Sequence, residues 1–373
     1  MKNNTIDEFS EIFNKYRNLS NYAFSLYLFI VKVNEECKKN NITDLFFLAR
    51  EGAFLKRLFD IYNNKNEHKV KTHYMYISRK AAVNATLKEL SKESFDAFNA
   101  YKDISISQFL HGLNFSNSEI EVVMSSNENF TDETYANFFS SEVFSALKKS
   151  PVFAEIYELK RQTSHMNLKK YLTRIGFDSC LNVAVVDVGW NGTIQDALFK
   201  MGLRKIIFGF YIGTTAKGSN NNFKRGLLFE NNSLTDSFCC SRYNFEYICV
   251  AEHGSTDYYD NEGNPVLFPD EDNVLFSNYF KKIQDDIFEK FKKIDFIARQ
   301  KDLSRLEFIV RFFHSRMLVF MKQPERMILK STKKRKPDNF IDKNAKQNIK
   351  NYAYSLLQYI IIFVSLPYYY AKI

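Results

Sequence analysis

An α/β fold built around a parallel sheet is expected for this chain, and three apolar runs predict it. They are Asp44-Leu-Phe-Phe-Leu-Ala-Arg-Glu-Gly52, Tyr74-Met-Tyr-Ile-Ser-Arg-Lys80 and Val183-Ala-Val-Val-Asp-Val-Gly-Trp-Asn-Gly-Thr193. Each is short, apolar on both alternating faces, and ends in polar or glycine-containing residues. That pattern belongs to a strand covered on both sides whose C-terminal end opens into a loop. Helical periodicity between the runs favours parallel pairing. In open sheets of this kind ligands sit at the C-terminal strand ends.

Residues 6–40 read as helices, with Phe24, Tyr27, Leu28 and Val31 at helical spacing and Lys38-Lys39-Asn40 as the stop. The first strand spans 45–48. A helix over 52–62 places Phe54, Leu55, Leu58 and Phe59 on one face, and the second strand follows at 71–77. Residues 84–150 are polar and rich in Ser and Asn, with short helical patterns such as 106–113, and are expected to form a helical insertion over the sheet edge. A long helix over 152–175, a third strand at 181–188, a helix over 192–201 that begins inside the glycine loop, and a fourth strand at 205–211 complete the alternation. After Gly218 the pattern changes: 226–229 and 265–268 read as short strands or extended loops, and 273–322 as helix. A linker or exposed loop over 323–348 leads to a last helix. The chain thus divides into an α/β domain at 1–260 and a mainly helical C-terminal region at 261–373, with no internal repeat.

At 373 residues the chain can bury the core of such a domain plus a helical part. Apolar residues at 45% and charged residues at 25% are ordinary for a globular protein and exclude a disordered chain. The 37 Phe and 22 Tyr, set beside 12 Gly, 6 Pro and many Asn and Lys, fit an AT-rich coding sequence as well as any function. A net charge of +9 raises nucleic-acid binding, but Lys and Arg are spread along the chain, so no nucleic-acid partner is expected. The exception is 330–336, containing Lys333-Lys-Arg-Lys336, which reads as a solvated segment or as a contact for acidic lipid or glycan. Cysteines 37, 180, 239, 240 and 249 form no CxxC pair, so neither a zinc nor a disulfide framework is legible and free thiols in a reducing cytoplasm are expected. The polar N-terminus does not read as a signal peptide. Residues 352–370 are the most lipid-like, but Pro367 and scattered polar residues shorten the apolar stretch below the roughly 20 residues a span needs. A core helix, or a peripheral amphipathic anchor behind the basic run, are the two readings.

The chemistry concentrates at the three strand ends. In Val186-Asp-Val-Gly-Trp-Asn-Gly-Thr193, Gly189 and Gly192 permit backbone shapes other residues resist. The amides around Asn191, Gly192 and Thr193 would then point outward at a helix N-terminus, which favours an anion. Asp187 at the strand tip can accept hydrogen bonds from sugar hydroxyls, or simply cap the helix. Arg50, just before the tight turn Glu51-Gly52, is aimed at phosphate unless it pairs with Glu51. Ser78, Arg79 and Lys80 add a hydroxyl and two cations, or mark an exposed strand end. Neither GxxxxGK[ST] nor GxGxxG is present. Parallel-sheet geometry places these tips side by side, so one composite pocket for a phosphorylated ligand is expected.

With these residues in hand, the order of elements resembles the type I phosphoribosyltransferase fold. In that family the third strand ends in an acidic pair and a Thr-Gly type loop, which hold ribose hydroxyls and the ribose 5-phosphate. Asp187 matches the second acid and Asn191-Gly192-Thr193 the phosphate loop, while Val186 stands in place of the first acid. A closer resemblance is to bacterial proteins encoded with capsule and O-antigen genes. It rests on Leu48-Ala-Arg-Glu-Gly-Ala-Phe-Leu55, Tyr76-Ile-Ser-Arg79 and Val186-Asp-Val-Gly-Trp-Asn-Gly-Thr-Ile-Gln195, and covers about residues 20 to 260. That group includes glycan phosphoribosyltransferases, which move ribofuranose 5-phosphate from phosphoribosyl pyrophosphate to a growing polysaccharide; a separate phosphatase then removes the phosphate.

The resemblance implies a mechanism. Mg²⁺, held mainly by the pyrophosphate, would act with Arg50, Arg79 and Lys80 on the leaving group. Fixing the 5-phosphate at Asn191, Gly192 and Thr193 would orient the ribose, with Gly189 and Gln195 also among the substrate-binding residues, and attack would give a β-ribofuranoside. The acceptor hydroxyl needs a base; candidates are Asp187, Glu246, Glu252 and His253, with structural capping and a loop histidine as the plain readings of Glu246 and His253. Trp190, the only tryptophan, either stacks on an acceptor sugar or packs under its loop, and Tyr243, Tyr247, Tyr258 and Tyr259 form a sugar platform or core. The acceptor would be a polysaccharide or lipid-linked glycan. Two rivals stand beside this reading. A haloacid dehalogenase-like phosphohydrolase needs an Asp-x-Asp pair where the first strand tip has Arg50-Glu51. A non-catalytic scaffold subunit of polysaccharide assembly would keep a degenerate fold.

Overall fold

The computed structural model of the chain describes Ile12 and residues 19–320, apart from 68, 99–100, 216–217, 220, 232–235 and 269–279. The basic run at 330–336, the linker at 323–348 and the last helix lie outside the described residues, as does nearly all of 6–18. Strands β1 (Asp44–Leu48), β2 (Lys71–Met75), β3 (Val183–Asp187), β4 (Ile207–Thr214) and β5 (Asn222–Glu230) form one sheet in the order β2-β1-β3-β4-β5. Every neighbouring pair is parallel, for example Phe46 opposite His73 and Val185, and Phe210 opposite Val186 and Arg225.

The alternation of side chains along β1 and β3 sorts the helices into two layers. Leu45, Phe47, Ala184, Val186, Phe210 and Ile212 share a core with helices α1 (Tyr22–Lys39) and α2 (Gly52–Asn63). Phe46, Leu48, Met75, Val183, Val185 and Ile207 face the other way, onto α3 (Arg79–Asn84) and the C-terminal half of the long helix at Pro151–Arg174. Burial of one such large side chain stabilises the fold by about 1.5–3 kcal/mol. Helix α1 is apolar nearly all round and is buried nearly all round, because a second layer of helices covers its outer side.

The insertion carries a core of its own. It contains α4 (Ile106–Gly112), α5 (Asn117–Ser125) and α6 (Glu142–Lys149), and it continues into α7 (Pro151–Arg174). Phe95, Phe98, Phe109, Phe138, Phe144, Phe153 and Tyr157 are buried together there. The serine-rich composition that reads as polarity in the sequence is helix capping. Ser105 and Ser116 form capping boxes with Gln108 and Glu119, Ser141 and Ser150 cap α6 and α7, and Pro151 takes the first position of α7.

Helix α8 (Thr193–Lys200) follows β3, and the segment at 226–229 is the second half of β5 rather than an isolated strand. Strand β5 lies at the sheet edge and its first half, with Lys224 and Arg225, is only partly covered, so its apolar signal is weak. The β4–β5 link, between Thr214 and Asn222, is also shorter than the dozen or so residues a parallel crossover ordinarily needs. Two short helices follow, α9 (Ser237–Cys240) and α10 (Arg242–Ile248), and then a hairpin of β6 (Thr256–Tyr259) and β7 (Pro265–Leu267). Within 273–322 the described helices are α11 (Lys281–Ala298) and α12 (Leu303–Phe320), which pack on α1 and extend the same core. No helix among the described residues is long and apolar enough to cross a membrane. All five cysteines are free thiols.

Candidate functional site

The strand order reverses direction between β1 and β3, and the helices that follow them, α2 and α8, lie on opposite faces. A crevice opens at such a switch point, beyond the carboxyl ends of the two strands. The loops there are Ala49-Arg-Glu-Gly52 and Val188-Gly-Trp-Asn-Gly192, and each contains a cis peptide bond, Ala49–Arg50 and Gly189–Trp190.

The β1 loop is tight because α2 starts at once. A Cβ on Gly52 would sit 2.7 Å from the Phe47 carbonyl carbon, so only glycine lets the helix approach the strand this closely. The Arg50 amide donates to Glu51 Oε2 at 3.2 Å, and the Tyr74 hydroxyl reaches the Arg50 carbonyl at 3.3 Å.

The β2 end is clamped by tyrosines. The Tyr76 amide donates to the Tyr171 hydroxyl at 2.7 Å, and the Tyr259 hydroxyl donates to the Tyr76 carbonyl at 2.7 Å. Ser78 caps α3 by accepting from the Ala81 amide at 3.0 Å, while its own hydroxyl donates to the Thr256 carbonyl at 2.6 Å. Arg79 follows as an exposed residue in the first turn. Lys80, expected in the same pocket, is buried instead, 2.8 Å from Asp257 and over the Phe268 ring. Two side chains in succession at a helix start point about 100° apart, so Arg79 and Lys80 cannot both face one crevice.

The β3 loop is laid along β4 and β5. Gly189 has φ +146, and a Cβ there would be 2.4 Å from the Gly213 carbonyl oxygen. The Trp190 carbonyl accepts from Thr214 Oγ1 at 2.8 Å and from the Thr215 amide at 3.0 Å. The Asn191 carbonyl accepts from Lys224 Nζ at 2.9 Å, and Lys224 also pairs with Asp196 at 2.7 Å. Gly192, in the left-handed region, precedes Thr193 at the first turn of α8. Gln195, expected to touch ligand, is fully buried; its amide donates to Asn222 Oδ1 at 2.7 Å and accepts from the Tyr211 hydroxyl at 2.7 Å. It ties α8 to the sheet.

Trp190 stacks on Phe229 with centroids 5.6 Å apart, and its Nε1–H donates to Glu246 Oε1 at 2.6 Å. This bond brings α10 to the strand tips, a link of 56 residues that no local pattern reveals. Asp187 is partly buried at the end of β3, where its Oδ1 accepts from the Val188 amide at 2.7 Å. Val186, one position earlier, is fully buried in the core, so the strand itself offers one acid. Glu51 and Glu246 supply the neighbouring carboxylates. Loss of solvent pushes the Asp187 carboxyl well above its ordinary value, and the nearby charge of Glu51 adds to this. The Val188 hydrogen bond opposes the shift, Glu246 reinforces it, and Arg79 opposes it. Burial raises Glu246 to about 7 with help from Glu51, while the Trp190 hydrogen bond, Arg79 and Arg242 pull it down.

The acids Glu51, Asp187 and Glu246 and the guanidinium of Arg79 therefore share one electrostatic neighbourhood. A carboxyl titrating near neutrality is fitted to take up or give a proton. His253 is next to the site rather than presented to it. Its Nδ1 lies 2.8 Å from the Gly254 carbonyl and its Nε2 2.7 Å from the Tyr74 hydroxyl, so both ring nitrogens are engaged. Glu252 is exposed, and no hydrogen bond or ion pair among the described residues joins it to the acids. Tyr243 is 45% exposed and meets Trp190 edge-on, with the Arg242 guanidinium 4.8 Å from its ring centre. Tyr259 is buried against Tyr171. Sequence reasoning missed Tyr74 and Arg242, and the only available signal for either was proximity to a strand tip or to Glu246.

No protein-family model matches the chain, and no curated protein matches its sequence.

Proposed function

We propose that the chain is a glycan phosphoribosyltransferase. It would move ribofuranose 5-phosphate from phosphoribosyl pyrophosphate to a hydroxyl of a bacterial surface polysaccharide or lipid-linked glycan. The type I phosphoribosyltransferase-like character of the sheet is part of the same proposal. The observation that carries it is the grouping of Glu51, Asp187 and Glu246 beside Arg79 at the β1/β3 switch point. The start of α8 at Gly192 and Thr193, a helix N-terminus of the kind that suits a phosphate, supports it.

In this reading Arg50 and Arg79 hold the pyrophosphate, and the amides at Gly192 and Thr193 face the 5-phosphate. Asp187 and Glu51 accept hydrogen bonds from the ribose hydroxyls. The C1–O bond to pyrophosphate breaks with its electron pair leaving on the pyrophosphate, and the acceptor oxygen forms the new bond to C1. Glu246 takes the acceptor proton; among the four candidate bases it is supported by a pKa near neutrality and by a carboxylate fixed on Trp190. Mg²⁺, bound with the pyrophosphate, would neutralise the charge of the leaving group. Trp190 serves Glu246 and the loop, so the exposed Tyr243 is the better platform for the acceptor sugar. Action at the cytoplasmic face on a membrane-linked acceptor, with a separate phosphatase downstream, follows from the same proposal.

Calorimetry with phosphoribosyl pyrophosphate and Mg²⁺, together with mass spectrometry of a glycan acceptor gaining a phosphopentose, tests it. Asp187→Ala should abolish transfer, and Arg79→Ala should weaken donor binding. No heat at millimolar donor would leave the scaffold reading in its place. Phosphate release from ribose 5-phosphate esters without acceptor would favour a phosphohydrolase, although the β1 tip carries no Asp-x-Asp pair.

A further inference from the structure

At the opposite end of the sheet, Asp44, His73 and Cys180 bring one oxygen, one nitrogen and one sulfur donor within 4.8 Å of one another. We propose that these three side chains form a binding site for a borderline divalent metal, with zinc the best match to the donor set. The site is independent of the pocket and of its proposed activity. Asp44 opens β1, His73 lies in the middle of β2, and Cys180 belongs to the turn between α7 and β3. Three separate elements therefore converge on one point, as they do at a structural metal centre.

The donor types select the ion. Thiolate and imidazole together disfavour Mg²⁺ and Ca²⁺, which take oxygen ligands, and favour Zn²⁺ or a tetrahedral Co²⁺ substitute. Zinc places sulfur at about 2.3 Å and nitrogen or oxygen at about 2.0 Å, so the tetrahedral ligands of this set stand roughly 3.3–3.5 Å apart. The Asp44 Oδ1 to His73 Nε2 distance is 2.8 Å, a hydrogen bond that opens by about half an ångström to admit the ion. The outer contacts already orient the ligands. The His73 ring stacks on Phe46 at 4.4 Å and 11°, and Thr43 Oγ1 donates to Asp44 Oδ2 at 2.8 Å. Arg204 donates to the carbonyls of Asp178, Cys180 and Leu181 and so pins the turn that carries the thiol. Such supporting contacts tune affinity at metal sites.

The charges balance. Binding displaces the Cys180 thiol proton to solvent, and the dication then meets one carboxylate, one thiolate and a neutral imidazole, for no net charge. The His73 side chain is 16% exposed and that of Asp44 11%, so water can reach the fourth position. Burial and the neighbouring Asp44 carboxylate push the Cys180 thiol up to about 11, while Arg204 and Lys71 pull the other way but also repel a cation, so only the ion itself can draw off the thiol proton. Without metal Asp44 and His73 are hydrogen-bonded to each other, so the experiment must separate the two states.

Full-length protein stripped with a chelator is titrated with Co²⁺ alone and followed by absorption. The expected result is a thiolate-to-cobalt charge-transfer band with intense tetrahedral d–d bands, displaced by zinc. Cys180→Ser should abolish the charge-transfer band, and a Cys239→Ser/Cys240→Ser double variant should keep it. Thr43→Val should weaken the metal by about ten- to a hundredfold. No charge-transfer band with cobalt in excess, or a band that survives Cys180→Ser, would overturn the proposal. Should Cys180→Ser fail to fold, alkylation of the wild-type protein decides: Cys180 protected by zinc supports the site, and Cys180 alkylated at an unchanged rate refutes it.

Discussion

Replacing Trp190 with phenylalanine is expected to raise the pKa of Glu246 from about 7 to about 8. The indole Nε1–H donates to Glu246 Oε1 at 2.6 Å, and this bond is the largest of the influences that hold the carboxyl down. A hydrogen bond to a charged acceptor contributes about 1.5–3 kcal/mol, and one pKa unit corresponds to about 1.4 kcal/mol. Glu246 keeps partial contact with solvent, which screens the loss, so the lower end of that range applies. Phenylalanine preserves the stacking on Phe229, 5.6 Å away in the native protein, so the loop backbone should stay in place. The assay is an NMR titration of ¹³C-labelled glutamate carboxyls, with Glu246→Gln identifying the resonance. An unchanged or lower value in Trp190→Phe, or a wild-type Glu246 that titrates near 4.5, would refute the electrostatic account of the site.

Four further outcomes follow. Glu246 has a folded pKa above its unfolded value of 4.5, so its contribution to stability is complete below pH 4.5 and is lost as pH rises through about 7. Urea unfolding of Glu246→Gln should therefore show a variant more stable than wild type at pH 8, by roughly 1–3 kcal/mol, and little changed at pH 4. His314 behaves oppositely: buried between Ser25 and Ser241, at 2.7 and 2.8 Å, it is pushed down to about 3 by loss of solvent. Its contribution is present above pH 6.5 and falls as pH drops toward 3, so thermal melts of His314→Gln should lose less on acidification than those of wild type. Asp295 is fully buried and pairs with Lys65 at 2.8 Å and Arg299 at 2.9 Å; Asp295→Ala should cost about 3 kcal/mol in chemical denaturation, because two cations lose their partner. Gly189→Ala should reduce the melting temperature and loosen the β3 loop in hydrogen exchange, since the new Cβ would collide with the Gly213 carbonyl.

The parts of the fold visible in the sequence are those whose signal is local. Strands β1 and β3 are buried on both faces, so their apolar runs are continuous, and Gly52 and Gly192 mark where the following helices start. Helix α7 is legible over nearly its whole length because Ser150 and Pro151 mark its start and no further proline or glycine interrupts it. Strand β5 is not, since an edge strand that opens with Asn222, Lys224 and Arg225 looks like a loop until β4 is set beside it. At the site, Asp187 and Arg79 could be placed from the strand ends alone. The fate of Lys80 could not, because Asp257 lies 177 residues away and comes near only when β6 packs on α3. Gln195 failed for a similar reason: a polar residue inside a motif looks like a ligand contact until Asn222 and Tyr211 are seen to use both ends of its amide.

Helix α7 is 24 residues long, about 36 Å from end to end. Phe153 and Tyr157 near its start belong to the aromatic core of the insertion, while Leu168, Tyr171 and Leu172 near its end belong to the sheet. A rod of hydrogen-bonded turns does not flex in the middle without a kink-forming residue, and past Pro151 this helix contains neither proline nor glycine. One rigid rod therefore joins the core of the insertion to the Tyr171 hydroxyl, which accepts from the Tyr76 amide. Three residues further on stands Arg79, so the insertion and the crevice share one continuous support.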